Sequence, residues 1–477
     1  MKNKFYNILF IVTVLFFSAC NSIDDLEPSF RLDLDKAITN ESTAENVLVG
    51  VYSKLRNTSF VFAVNGIGNQ MGITFRGFSN FDLENNEPLT NNGLSSGLYT
   101  SSYELVQEAN VFLENIEAVD ASALGGEDNK SNLIAEARFL RALANFYLLR
   151  SFGEFYDTGS DFGISLRRVS AIDGSPIARG TVAETYAFIN EDLDFAIANA
   201  TRPENFRANV FAAKGLKAKV KLYEGDYEMA AQLAADVIAD SGGRFFPDVF
   251  AETFSYPDRD TDGNIIVGAD GNAVVTPSHE STSLLFGPFA DNATERVSTA
   301  NSYFSFNPPI YAGIAAGDPR EVNGFNGIDK GLQFFNSGFP NFEFLGSSAP
   351  TLMLLRLAEV YLIHAEAELR RGGSVAEALG SLNAVRTRTA VGLPAIVSSD
   401  ATEVLEAVRA EKLLELALEQ GEDYFDLVRY HIAGDLVASS IKPTMTNEDF
   451  FILPIPDAEL LNEGASDVIV QNPGYTN

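Results

Sequence analysis

The chain has 477 residues, and its 34 basic against 65 acidic side chains give a net charge of −31, which repels phosphate backbones and anionic headgroups and argues against a nucleic-acid partner. With 46% hydrophobic and 21% charged residues, it has a globular composition and length enough for roughly three ordinary domains. Its single cysteine excludes a disulfide framework.

Lys2 and Lys4 precede an apolar run from Phe5 to Phe17 that is shorter than the ~20 residues a bilayer span needs and fits the core of a secretory signal peptide. Residues 1–19 are therefore expected to be removed. Phe17-Ser18-Ala19-Cys20 resembles the lipobox of bacterial lipoproteins, which implies that Cys20 becomes an acylated first residue carrying palmitate and further chains. Several acyl chains, at about 0.8 kcal/mol per buried methylene, would hold the protein on a membrane. Residues 20–42, with Ser22, Asp24, Asp25 and Glu27, read as a flexible acidic tether. That tether resembles the export signal of lipoproteins that face the cell exterior.

Helical periodicity begins near Thr43 and runs to Arg56. A second helix is expected from Ser102 to Ala118, with Tyr103, Ala109, Phe112, Leu113 and Ile116 on its apolar side. The Gly- and Asn-rich stretch between them, which includes Phe75, Phe78, Phe81 and Tyr99, reads as loop. Further helices are expected over 133–152, 181–199, 209–223 and 227–240. Gly225-Asp226-Tyr227 joins the last two, and Ala213, Leu216, Val220 and Tyr223 face Tyr227, Ala230, Ala234 and Ile238, a pairing similar to a tetratricopeptide repeat.

Periodicity then vanishes for 108 residues. Gly243 to Pro350 holds 17 of the 53 aromatic side chains among many Gly, Asn, Ser and Pro residues, and so long an irregular stretch is expected to carry function. From Thr351 the helical pattern returns. Leu354, Ala358, Tyr361, Leu362, Ala365 and Leu369 form one apolar stripe, with Glu359, Glu366 and Arg370 off it. Gly372-Gly373 ends that helix, Ser374 with Glu377 signals a capping box, and Val375, Ala378, Leu379, Leu382 and Val385 line the next. Such a hairpin buries its stripes by stacking on similar units.

Four separated blocks resemble one family. The first comprises Tyr103, Glu108-Ala109-Asn110, Glu136-Ala137-Arg138-Phe139-Leu140-Arg141-Ala142, Phe146-Tyr147 and Phe152-Gly153. The second is Asp318-Pro319-Arg320, then Leu355-Arg356-Leu357-Ala358-Glu359-Val360-Tyr361-Leu362 and Ala365-Glu366-Ala367. The third comprises Glu411, Glu415-Leu416, Gly421 and Tyr424-Phe425-Asp426-Leu427-Val428-Arg429. The tail carries Leu453-Pro454-Ile455-Pro456, Glu459 and Gln471-Asn472-Pro473-Gly474-Tyr475. In this order, behind a lipobox, they resemble the SusD/RagB-like outer-membrane nutrient-binding lipoproteins. Glu154-Phe155, where the family has a proline nearby, and Lys412, where it has arginine, depart from the pattern.

The resemblance implies a mainly α fold: a tetratricopeptide-like helical-hairpin solenoid supporting a loop-rich ligand-binding subdomain with few short strands. It divides the chain into an N-terminal helical region (43–242), an aromatic insert forming the ligand face (243–350) and a C-terminal region with hairpin and tail (351–477). It also implies a partner, a SusC-like TonB-dependent transporter in the outer membrane, to which a bound oligosaccharide is passed for uptake.

Sugar rings stack their C–H faces on aromatics beside hydrogen-bonding groups, so Phe78, Phe81, Tyr303, Phe304, Phe306, Tyr311, Phe334 and Phe335 are the ligand candidates. The absence of Trp leaves a peptide ligand open, and a helical protein-interaction scaffold with no small ligand is the rival. Asp258, Asp260 and Asp262 before Gly263 have the spacing that opens a calcium loop, but its twelfth position is Ala269, so two hairpin turns explain the pattern equally well. No other cofactor is indicated. His279, His364 and His431 are scattered and no nucleophile has a recognisable setting, so no enzyme activity is expected. Arg138, Arg141, Arg356 and Arg429 are expected in buried ion pairs with helix carboxylates.

Overall fold

The computed structural model describes residues 37–56, 74–75, 81–171, 175–246, 282–287, 304–305, 354–416, 419–462 and 464–476. Twelve α-helices lie among them: α1 (Glu41–Ser53), α2 (Phe81–Glu84), α3 (Gly93–Glu117), α4 (Glu127–Phe152), α5 (Val182–Asn199), α6 (Val210–Glu224), α7 (Tyr227–Ala239), α8 (Leu357–Arg370), α9 (Val375–Arg386), α10 (Ala401–Glu415), α11 (Glu422–Ile432) and α12 (Asp457–Leu460). From α3 to α7 each helix packs against the next, α7 packs on α8, and α8, α9 and α10 pack on one another. This is the stacked-hairpin architecture expected of the sequence.

Local chemistry fixes the ends. Asn40 caps α1 by accepting from the Thr43 amide at 3.1 Å while the Thr43 hydroxyl accepts from the Asn40 amide at 3.0 Å. Thr181 and Glu184 form the reciprocal capping box of α5. Gly225, at φ 85°, takes the left-handed conformation that lets α6 turn directly into α7. The α8–α9 turn differs from the sequence expectation: Ser374 accepts from the Glu377 amide, but the Ser374 amide donates to Glu368 Oε1 at 2.6 Å. Glu368 thus supplies the second half of the cap from the preceding helix.

Three other expectations are corrected. Helix α3 starts at Gly93, so Tyr99 lies inside a helix at 5% exposure and not in a loop. Asn92 makes this possible by accepting from the amides of Leu94 and Ser95. Phe81 opens the short helix α2. Leu354 precedes α8, because Leu355–Arg356 form strand β4 before the helix begins.

The apolar stripe of α8 divides between two cores. Ala358, Leu362 and Ala365 meet Ala378, Leu382 and Val385 of α9 and Val404 and Val408 of α10. Val360, Ile363 and Ala367 join the larger core of α1 and α3 to α7. The polar side of α8 is also buried. Glu366, fully buried, receives Arg429 on both oxygens at 3.0 Å, Lys412 at 3.0 Å and Arg370 at 2.8 Å. Burial pushes its carboxyl up, yet these cations outweigh that and hold it well below the ordinary value.

Candidate functional site

Two small antiparallel sheets tie the loop segments together, and one of them leads directly into α8. Strand β2 (Leu284–Phe286) pairs with β4 (Leu355–Arg356), tying the insert's middle to its exit. Strand β1 (Thr74–Phe75) pairs with β3 (Phe304–Ser305), in register Thr74 to Ser305 and Phe75 to Phe304. The first loop and the insert, separate in sequence, therefore meet through main-chain hydrogen bonds.

The roots of these segments converge on the loop before α6. Arg244 donates through Nε to Leu284 O at 2.8 Å and to Asn205 Oδ1 at 2.9 Å, Phe245 N donates to Thr282 O, and Gly287 N donates to Asn205 O. Burial lowers the Arg244 guanidinium from its ordinary value. Phe286 is held edge-on by Phe139 at 4.7 Å, and its ring lies 6.4 Å from that of Tyr52 near the end of α1. Tyr52 itself donates to Glu136 Oε2 at 2.7 Å and accepts from Ala208 N at 2.8 Å. Arg207 completes the group at 2.6 Å from Glu136, so the α4 glutamate anchors both α1 and the loop before α6.

A second piece of backbone is laid along α3. Tyr103 donates to Ser165 O at 3.1 Å, Gln107 exchanges bonds with both backbone groups of Ala171, Asn110 donates to Arg167 O, and Glu114 accepts from Ser170. Steps of four, three and four place these side chains on one helical stripe. Burial pushes the Tyr103 phenol up to about 12, so it stays a donor at neutral pH. Tyr99, whose Gly- and Asn-rich surroundings read as loop, is buried in α3 and packs obliquely on Tyr103 with centroids 4.8 Å apart.

Among the sequence candidates, Phe81 and Phe304 fall in α2 and β3. Phe78, Tyr303, Phe306, Tyr311, Phe334, Phe335, Cys20, Asp258, Asp260, Asp262 and His279 lie outside the described residues. Among the described residues no group of three His, Cys, Asp or Glu is arranged to hold a metal ion. His431 accepts the Ala438 amide at Nδ1, so Nε2 carries the proton and donates to Glu448 at 3.1 Å. No helix of the described residues is long and apolar enough to cross a membrane.

Comparison with known proteins decides the family. The family described as "Starch-binding associating with outer membrane" matches residues 25–222, and the "SusD family" matches residues 340–475. The chain belongs to the SusD/RagB-like family. A SusD-like protein of Formosa agariphila is 25% identical, spanning 99% of this chain and all of its own length. One of Bacteroides ovatus is 25% identical over 70% of this chain and 65% of its own. Among solved structures, a SusD superfamily protein from Bacteroides vulgatus has a TM-score of 0.70 at 22% identity, covering 92% of this chain and all of that one. A "Laminarin binding SusD-like protein" has a TM-score of 0.65 at 25% identity, with 92% and 100% covered.

The SusD-like blocks prove to be structural fastenings. Arg141 grips Asp192 at 2.7 and 2.8 Å, and the more exposed Arg138 approaches the same carboxylate at 3.8 Å. Arg356 meets Glu415 and Glu419, and Arg429 meets Glu366 and Asp426, as expected of buried ion pairs. Lys412, in the family's arginine position, still bridges Glu366 and Asp426. Phe155 is fully buried against Tyr223 and Phe425. The tail closes the frame: Gln471 bonds both backbone groups of Ile455 at 2.8 Å, while Asn472 donates to Phe152 O and Leu453 O and accepts from Arg179.

Proposed function

We propose that this protein is a non-catalytic, lipid-anchored receptor of the outer membrane that captures an oligosaccharide on its loop face and passes it to a SusC-like TonB-dependent transporter. The observation that carries the reading is the β1–β3 pairing, which joins Thr74–Phe75 of the first loop to Phe304–Ser305 of the aromatic insert. Membership of a family described as starch-binding supports it, as does likeness to a laminarin-binding protein. Phe78, Phe81, Tyr303, Phe304, Phe306, Tyr311, Phe334 and Phe335 supply stacking surface in this reading, and acylated Cys20 holds the frame at the membrane.

Titration of the mature protein with laminarin oligosaccharides, other glycans and a peptide panel tests it. Glycan binding, weakened at least ~10-fold by Tyr303→Ala with Tyr311→Ala, is expected, a loss worth about 1.4 kcal/mol. Binding of peptides alone, or of nothing while the transporter still associates, overturns it.

A further inference from the structure

A cleft of about 330 Å³ lies beside α3, under the 165–171 segment and next to α12. Its volume is near the lower end of the ~300–1,000 Å³ of small-molecule sites, room for one or two sugar rings. Tyr103 presents a partly exposed ring whose orientation is set from three sides: the hydroxyl is tied to Ser165 O, Tyr99 packs at 4.8 Å, and the Arg167 guanidinium lies 5.9 Å from the ring centroid. Tyr99 in turn stands edge-on to buried Phe152 at 5.1 Å. An aromatic platform held this way loses little freedom on binding.

Around the ring stand the exposed Thr100 hydroxyl, the carboxylates of Glu104, Glu108 and Glu459, and Arg167. Carboxylates accept from pairs of neighbouring hydroxyls, and the guanidinium donates to ring or hydroxyl oxygens. Three carboxylates outnumber the two cations beside them, Arg167 and Lys54, and the remaining negative charge disfavours sulfate and uronate groups. Lys54, which ends α1 just before the first loop, approaches Glu104 at 3.6 Å and Glu108 at 3.8 Å, so the cleft adjoins the root of the loop face.

We propose that this cleft is a second saccharide site, built on the helical frame, which takes one or two neutral sugar rings and discriminates against anionic ones. The proposal rests on the glycan reading given above but uses different residues. It assigns the frame a share of binding that the aromatic insert does not supply.

The test uses the mature chain with Tyr303→Ala and Tyr311→Ala, which weaken the loop face, titrated with laminaribiose, maltose, cellobiose and a uronate-bearing disaccharide. Residual binding of a neutral disaccharide is expected, with the uronate at least ~10-fold weaker. Thr100→Arg, an exposed change that fills the cleft without touching the core, should remove that residual binding, and Arg167→Ala should weaken it ~10-fold. Crystals soaked in the bound disaccharide should show a sugar ring against Tyr103. Binding that the intact protein shows and the loop variant wholly loses, or that Thr100→Arg leaves unchanged, overturns the cleft and leaves the glycan reading standing. Failure of the intact protein to bind any saccharide overturns both.

Discussion

At the scale of single residues, this chain buries charge in shared sets and not in isolated pairs. Lys219 lies between Glu359 at 2.7 Å and Glu422 at 2.5 Å, and Arg150 meets the same Glu422 oxygen. Burial alone pushes both carboxyls up. For Glu422 the two cations outweigh it and hold the group down at about 2, whereas Glu359, with Lys219 beside it and the Glu422 charge close by, stays raised. The sign for Glu422 follows from its lowered value. Its contribution to stability is complete above the ordinary 4.5 and is lost as pH falls towards about 2. In urea titrations across that range, the stability gap between the native chain and Glu422→Gln should narrow as the solution is acidified. A gap that stays constant down to pH ~2 would show that the carboxylate is not held ionised by Lys219 and Arg150. Buried pairs for Arg356 and Arg429 were expected, but the sharing of one carboxylate among several cations was not legible, because apolar periodicity places Glu359, Glu366 and Arg370 off the stripe and says nothing about whether a second helix covers them.

At the scale of elements, the sequence was most informative where period and caps agreed. Helices α5 to α7 fall close to their expected spans, since each combines a 3.6-residue stripe with a capping residue or a terminating glycine, whereas α4 starts at Glu127, six residues before the expected 133, and is buried on nearly every side from 135 onward. Gly93 and Gly97 each cost α3 about 1 kcal/mol of helix propensity and hide its first turns from the sequence pattern; the Asn92 cap and the burial of Leu98 and Tyr99 override that cost. Glycines elsewhere separate into two kinds. A Cβ on Gly163 would stand 2.4 Å from the carbonyl oxygen of Thr181, where the 160–164 segment hydrogen-bonds to the start of α5, so backbone must move to admit it. Gly50, in α1, has nothing within 4 Å of the same position. Gly163→Ala should therefore lower unfolding stability by about 1–3 kcal/mol, and Gly50→Ala should raise it by about 0.5–1 kcal/mol. Chemical denaturation of the two variants checks the opposite signs, and equal shifts would mean that propensity outweighs packing at both sites.

At the scale of the whole molecule, stacked helical hairpins admit two behaviours. Repeats that touch only their neighbours can melt piecewise, as a one-dimensional array, or fastenings between distant parts can make them melt together. Here α8 contributes Ala358, Leu362 and Ala365 to one core and Val360, Ile363 and Ala367 to the other, so neither core can lose its order while the helix remains packed in the other. The tail adds a long-range tie, because Asn472 binds the last carbonyl of α4, and the α10–α11 connection adds another, because Tyr147 of α4 donates to Gln420 at 2.6 Å. The family motifs were legible as a resemblance but not in their role, since a run such as Gln471-Asn472-Pro473-Gly474-Tyr475 shows its purpose only when its partners are in place, Leu453 and Ile455 nearby and Phe152 and Arg179 hundreds of residues earlier. Leu362→Ala, which empties space only in the smaller core, is expected to cost about 2–5 kcal/mol and to shift one calorimetric transition to lower temperature. If that variant instead splits the melt into two resolved transitions, α8 does not couple the cores and the frame behaves as a repeat array.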